Sequence, residues 1–366
     1  MNVARLEELV SLSSGEFLPK QRFNKDGLYP VLGSNGEIGR TNEFNHEGPV
    51  ITIGRVGACG AINYYTGKSW ITDNALIATP NPQIAQEYLL FYLRSVNFDL
   101  LRSGTSQPLI TQTRLKALKV PVPPILAQKE IAAILEKADH ARRKRRETLR
   151  LTDQFLQAAF LQMFGELVTN RKGWRVDTIR SVVEKVQNIS SSSFPTKEIT
   201  YVDISSIDNV HKRVKRLSRL SGNEIPSRAR QIIQEGDILV STVRPNLNAV
   251  AIVPAGLNNP IGSTGFCVLR VNKKAAVKEY LSEICKSNLF VQKLSKIAKG
   301  ASYPAVSDND ILDLKILVPP LSEQRKFASM MEKIETLRET QRQSEQELET
   351  LFQSMMQKAF SGELVM

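Results

Sequence analysis

Two stretches of this chain carry apolar side chains at alternating spacings of three and four. In the later stretch the series is Phe327, Met330, Ile334, Leu337, Gln341, Ser344, Leu348, Leu351 and Met355. In the earlier one it is Ile131, Ile134, Ala138, Ala141, Arg145, Thr148, Thr152, Phe155 and Ala159. Such spacing predicts a long helix with a coiled-coil seam, here interrupted by polar layers near its middle. Pro123-Pro124 and Pro319-Pro320 precede the two patterns, where proline starts a helix instead of breaking it. Gly165 and Gly362 mark the ends, so each helix spans about 38 residues, or roughly 57 Å. The segments in front read as mixed α/β. Short β-rich runs at 49–53 and 238–242 lie between Gly, Pro and Asn clusters. Helical patterns begin at Gln86 and Val277, and each is broken by a Gly-x-Ser-x-Pro loop. A short helix and a strand then lead into the double proline.

The two halves repeat. At a constant offset of 196, Gly104, Ser106, Pro108, Leu118-Lys119, Pro123-Pro124 and Gln128 match Gly300, Ser302, Pro304, Leu314-Lys315, Pro319-Pro320 and Gln324. At 197, Phe155 and Gly165-Glu166-Leu167 match Phe352 and Gly362-Glu363-Leu364. Internal similarity this dense is the signature of a duplicated unit. The fronts agree less: Leu6, Leu9 and Val10 align with Ile179, Val182 and Val183. The runs from Gly48 and from Gly236 share only a glycine, an apolar stretch and an arginine. A shared back with a divergent front suits two ligands, or two sequences within one ligand. The expected division is residues 1–122 as a first recognition domain, 123–166 as a first helix, 167–318 as a second domain and 319–366 as a second helix.

Charge adds a partner. With 366 residues there is material for two domains, and 49 Lys and Arg against 37 Asp and Glu give a net charge of +12. That balance favours a polyanion, nucleic acid above all. It also suggests how the helices meet. The basic centre Arg142-Arg143-Lys144-Arg145-Arg146 would lie beside Glu335, Glu339, Glu345 and Glu347 if the helices pair antiparallel. The alternatives are a solvated basic face or one that lies over DNA. Three scattered cysteines make no disulfide framework. The start lacks the marks of a signal peptide and no apolar run would span a membrane, so a cytoplasmic location is expected.

These features together resemble the specificity subunit of type I restriction-modification systems. The likeness is clearest in VPVPPILAQKEIAAIL and ILVPPLSEQRKFASMM, in the long helices, in the FGEL and FSGEL endings and in Gly173-Trp174. The resemblance implies an α+β architecture: two target-recognition domains, similar to those of TaqI-type adenine methyltransferases, joined by two long antiparallel coiled-coil helices with pseudo-two-fold symmetry. It implies a non-catalytic subunit that binds a split, asymmetric sequence in double-stranded DNA, each domain reading one half. The helices would set the spacing and recruit two adenine methyltransferase subunits, with translocase–nuclease subunits joining in the restriction complex. S-adenosylmethionine and ATP would be bound by those partners, and no cofactor by this chain.

Candidate DNA contacts follow from residue chemistry. Phosphates are met by Lys and Arg, and base edges by donors that reach a groove. From His211 to Arg230 there are seven basic residues (Lys212, Arg213, Lys215, Arg216, Arg219, Arg228 and Arg230) and one acid, Glu224. They read as a phosphate-tracking surface or as a solvated loop. Arg244 and Asn246 follow a β run, where a loop could enter a groove. Arg40, Arg55 and Lys68 are the parallel candidates in the first domain. The repeated loops offer Thr105, Ser106 and Gln107 in one copy and Ser302 and Tyr303 in the other, either as readers or as caps of the preceding helix.

Other classes fit less well. The chain lacks a cofactor-binding glycine loop and the Asn/Asp-Pro-Pro-aromatic motif of a methyltransferase. The string from Gly60 to Gly67-Lys68-Ser69 has the wrong spacing for a phosphate loop. Asp310, Asp313 and Lys315 mimic the cluster of a metal-dependent nuclease, but the first copy has Arg114, Ala117 and Lys119 there. His46, His140 and His211 lie far apart. A coiled-coil scaffold is the remaining alternative.

Overall fold

The computed structural model describes residues 2–102, 109–166, 169–189 and 198–364. The chain divides into two compact units, residues 1–148 with 341–366, and residues 149–340. The long helices are Ile125–Phe164 and Leu321–Ser361. Each gives one half to each unit.

The repeat that was faint in the fronts is present strand for strand. In the first unit Val10–Ser14, Ala75–Pro80, Val50–Gly54 and Ile62–Tyr65 lie side by side in that order, all antiparallel. In the second unit Val183–Glu184, Phe266–Val271, Ile238–Ser241 and Val250–Ile252 do the same. The registers correspond. Ile51 stands opposite Ala78 and Tyr64, and Ile238 opposite Leu269 and Ile252. Both central strands are buried throughout, as a run such as Ile238-Leu239-Val240 requires. The second copy extends this sheet by Arg213–Val214 and Ile207–Asp208. A smaller sheet also recurs, built on a parallel pair: Leu32 opposite Ile71 in one unit, Val202 opposite Gly262 in the other.

The back of each domain closes on its own front. Asn2–Arg5 pairs with Lys119–Val122, and Arg175–Thr178 with Lys315–Val318. Beneath each ribbon lies a buried tyrosine. Tyr88 donates its hydroxyl proton to the Pro121 carbonyl at 3.0 Å, and Tyr280 donates to that of Leu317 at 2.8 Å. The matched glutamines do equivalent work. Gln128 accepts from the Ala85 N–H and donates to the Gln83 and Pro123 carbonyls. Gln324 accepts from Val277 and donates to Pro319. Both glutamines are fully buried, tying the start of a long helix to the helix of its own domain (Gln86–Ser95 or Lys278–Lys286). Where the first long helix ends, Trp174 donates its indole N–H to the Phe164 carbonyl at 3.1 Å.

Within each unit the paired helix halves run antiparallel. In the first, Arg142 meets Glu349 at 3.0 Å and Arg146 meets Glu345 at 3.2 Å. In the second, Asp153 pairs with Arg338 and Phe164 packs on Phe327. The basic centre thus finds acids on the other helix, chiefly Glu345 and Glu349; Glu335 bonds Arg338 of its own helix. The heptad reading needs correction. Ile131, Phe327, Ile334 and Gln341 face inward, but Ile134, Phe155, Leu337 and Leu351 are 38–58% exposed. Their neighbours Leu135, Leu156 and Phe352 are buried instead. The reason is a third surface. Each helix half packs on the domain of its own unit as well as on the other helix, as the contacts Phe91–Phe352 and Phe160–Tyr280 show. The buried stripe is turned towards both, whereas an a/d seam serves one neighbour alone.

Candidate nucleic-acid interface

The best-defined candidate site lies at the end of the strand Ile238–Ser241. The chain passes through Thr242 and Val243 into a single 3-10 turn, Pro245–Leu247. Two residues with left-handed backbones bracket the turn, Arg244 (φ 50°) and Asn248 (φ 49°). The repeated loop of the second copy docks on it. Val306 donates its N–H to the Thr242 carbonyl (2.9 Å), Arg244 donates to that of Pro304 (2.7 Å), and Val243 bridges to Ala305. Tyr303 is thereby brought under Arg244, with the guanidinium carbon 4.5 Å from the ring centroid. Arg244 also reaches the Ser302 carbonyl, at 3.4 Å. Arg244, Asn246, Ser302 and Tyr303 are all exposed. Four of the residues expected to contact DNA therefore stand together.

Lys212 joins them. Its Nζ donates to the Asn248 carbonyl at 2.5 Å, and partial burial, with Lys286 nearby, lowers its pKa. Arg213 follows in the short strand Arg213–Val214, and Lys215 lies 3.9 Å from Asp208. The rest of the basic segment parts company. Arg219 and Arg230 sit in strands of the other sheet, Ser218–Leu220 and Ala229–Ile232, with Arg228 just before the latter. Arg213, Lys215, Arg216, Arg219, Arg228 and Arg230 are exposed. The run that looks continuous in sequence is divided between two sheets.

In the first domain the candidates are more committed to the fold. Arg40 donates to the carbonyls of Gly27 and Leu28 at 2.7 and 2.8 Å, and sits 3.3 Å from Glu37. Lys68 rests over the Phe44 ring at 4.5 Å with Glu47 at 3.6 Å. Arg55 follows the strand Val50–Gly54, half-buried, and its carbonyl accepts from the Ile110 N–H. Thr105, Ser106 and Gln107 lie outside the described residues. The left-handed turn itself was missed in sequence; its signal was the Asn-rich, Pro-initiated string after Arg244.

The acids that mimicked a nuclease cluster have local structural work. Asp310 accepts from the N–H and hydroxyl of Ser307, the N-cap of the short helix Asp308–Leu312, which lowers its pKa. Asp313 pairs with Arg180 at 2.8 Å. Among the described residues no group of three His, Cys, Asp or Glu could hold a metal ion, and no helix is long and apolar enough to cross a membrane.

Known proteins share this doubled arrangement. The family model described as the type I restriction modification DNA specificity domain matches residues 1–150 and again 172–350. The chain belongs to that family. It is a DNA specificity subunit and not a catalytic one. A Haemophilus influenzae protein named as a type I restriction enzyme specificity subunit is 22% identical, over 91% of this chain and 87% of its own length. The EcoDI specificity subunit of Escherichia coli is also 22% identical, over 98% of this chain and 87% of its own. The crystal structure of a type I restriction-modification S subunit from M. genitalium is alike in fold, with a TM-score of 0.61 at 14% identity, covering 98% of this chain and 96% of that one.

Proposed function

We propose that this subunit reads a split, asymmetric sequence in double-stranded DNA, each recognition domain taking one half. The observation that carries the reading is a scaffold repeated strand for strand beneath divergent surface loops. A repeated scaffold presents its loops alike, and different loop residues then read different bases. The domains correspond to residues 1–122 and 167–318, of the kind found in TaqI-type adenine methyltransferases. Residues 123–166 and 319–366 are the helical spacer, a pseudo-two-fold antiparallel coiled coil. That spacer sets the distance between half-sites and recruits two adenine methyltransferase subunits. Apolar side chains left exposed on the helices, such as Phe155, Leu161, Leu337 and Leu351, support a role in recruiting protein partners. S-adenosylmethionine is bound by the methyltransferases, and ATP by the translocase–nuclease subunits of a restriction complex in the cytoplasm.

The test has two parts. The purified chain should shift a random duplex at low salt and release it steeply as salt rises. Mapping methylated adenines in cells carrying the chain and its methyltransferase should return one bipartite motif with a fixed gap. A single uninterrupted motif, or none that depends on this chain, would sink the reading. Cleavage of DNA by the chain with magnesium alone would revive the nuclease alternative.

A further inference from the structure

We infer that Arg244 is a specificity-determining residue of the second domain, held by Tyr303 so that its guanidinium reads a guanine edge. The inference rests on the DNA-recognition reading above and adds a residue and a base to it.

The repeat fixes which positions correspond. Val56 bridges Leu109 as Val243 bridges Ala305, and the Ile110 N–H donates to Arg55 as the Val306 N–H donates to Thr242. Position 244 in the second copy is therefore position 57 in the first, and the arginines at 55 and 244 are not equivalents. By the same logic Asn248 stands where Gly60 does, because Gly54 donates to Ala61 as Ser241 donates to Ala249. Both places demand a left-handed backbone in both copies: φ is +72° at Gly57 and +84° at Gly60, against +50° at Arg244 and +49° at Asn248. Glycine meets that demand without strain, and asparagine tolerates it. Arginine does not. A Cβ at Gly57 would meet nothing within 4 Å among the described residues, so sterics alone do not require glycine there. The second copy retains a long side chain at a backbone position that disfavours it, and strain of this kind gathers at functional sites.

The side chain has little structural employment. It is exposed, no carboxylate pairs with it among the described residues, and its contacts are the Tyr303 ring and the Ser302 carbonyl. Tyr303 is itself 68% exposed, with the Arg244 guanidinium over its ring. The guanidinium lies over the ring, and its long bond to the Ser302 carbonyl takes one N–H, which leaves further donors available. A fixed fork matches the paired O6 and N7 acceptors of guanine in the major groove, whereas a phosphate would be served by any flexible cation. Tyr303 is a positioning residue in this scheme. Lys212 steadies the other end of the turn through the Asn248 carbonyl.

The full-length chain would be used to select duplexes from a pool with a randomised core. Parallel measurements are urea unfolding and a salt titration on one fixed random-sequence duplex. Arg244→Gly should fold at least as stably as the parent and keep the salt slope. Its preference for guanine at one position of one half-site should fall by about 10- to 100-fold, the other half-site being untouched. Tyr303→Leu should weaken the same preference, and Tyr303→Phe should preserve it. If Arg244→Gly selects the parent's motif, the inference fails. It fails equally if binding weakens for all sequences alike and the salt slope drops by about one, the mark of a phosphate contact. Should the parent itself enrich no motif, the broader DNA-recognition reading falls, and this inference with it.

Discussion

Single side chains here do work that their type alone does not announce. Gln128 and Gln324 are conspicuous in the sequence only because they match; in the structure each is fully buried and satisfies backbone groups at the start of its domain helix and of its long helix. Gln324→Ala should therefore destabilise the chain by about 3 kcal/mol, since truncation strands buried donors and acceptors without solvent. A shift of the urea midpoint below about 1 kcal/mol would show that water replaces the amide. Asp208 offers a pH-dependent counterpart. Hydrogen bonds from the His211 side chain, and from the His211 and Val210 N–H groups, lower its carboxyl pKa to about 2. A carboxylate lowered in the folded state stabilises fully above its ordinary value, near 3.8, and loses that contribution as pH falls towards about 2. Asp208→Asn should accordingly lose less stability than the parent between about pH 4 and pH 2. Parallel acid-unfolding curves would contradict this.

Among the elements, the long helices depend on charge as much as on apolar contact. Arg142 lies between Asp139 (2.6 Å) and Glu349 (3.0 Å), with its guanidinium 4.1 Å over Phe352, and its side chain is only 17% exposed. Replacing Arg142 and Arg146 by glutamate should lower the melting temperature and cost about 3 to 5 kcal/mol, because half-buried acids would then face acids. Adding Glu345→Arg and Glu349→Arg should recover part of the loss. Unchanged melting with weakened DNA binding would mean instead that the basic centre serves the DNA. Heptad reasoning placed these helices but misjudged which faces are covered, since the domain helix at 86–95 or 278–286 competes with the partner helix for the apolar stripe.

For the molecule as a whole, the notable fact is that the first unit needs both ends of the chain. Residues 341–366 belong with 1–148, and Phe352, Met356 and Ala359 fill the same core as Leu6, Phe91 and Leu135. Truncation before Gln341 should hence loosen the first domain while sparing Ile238–Ser241 and its neighbours, to be read by amide hydrogen exchange. Equal loss of protection in both units would refute the assignment. Exchanging residues 1–120 for those of a relative should alter one half of the recognised DNA sequence; a change in both halves, or in neither, would refute the split reading.

What the amino-acid sequence determined by itself was the plan: duplication, proline-started helices, basic partner-binding character, and the absence of motifs for a phosphate loop or a methyltransferase site. Those features are local in the chain, and local spacing and composition preserve them. Tertiary structure alone decided three things. Strand pairing equated Thr242 with Arg55 and Arg244 with Gly57, which residue identity had concealed because a sheet conserves hydrogen-bond register while its side chains diverge. Sheet topology divided the basic run at 211–230 between two surfaces. Packing against a third element turned the helical stripe, so that Phe352 is buried and Leu351 is not. Each depends on contacts between residues distant in sequence, and spacing along the chain carries no record of them.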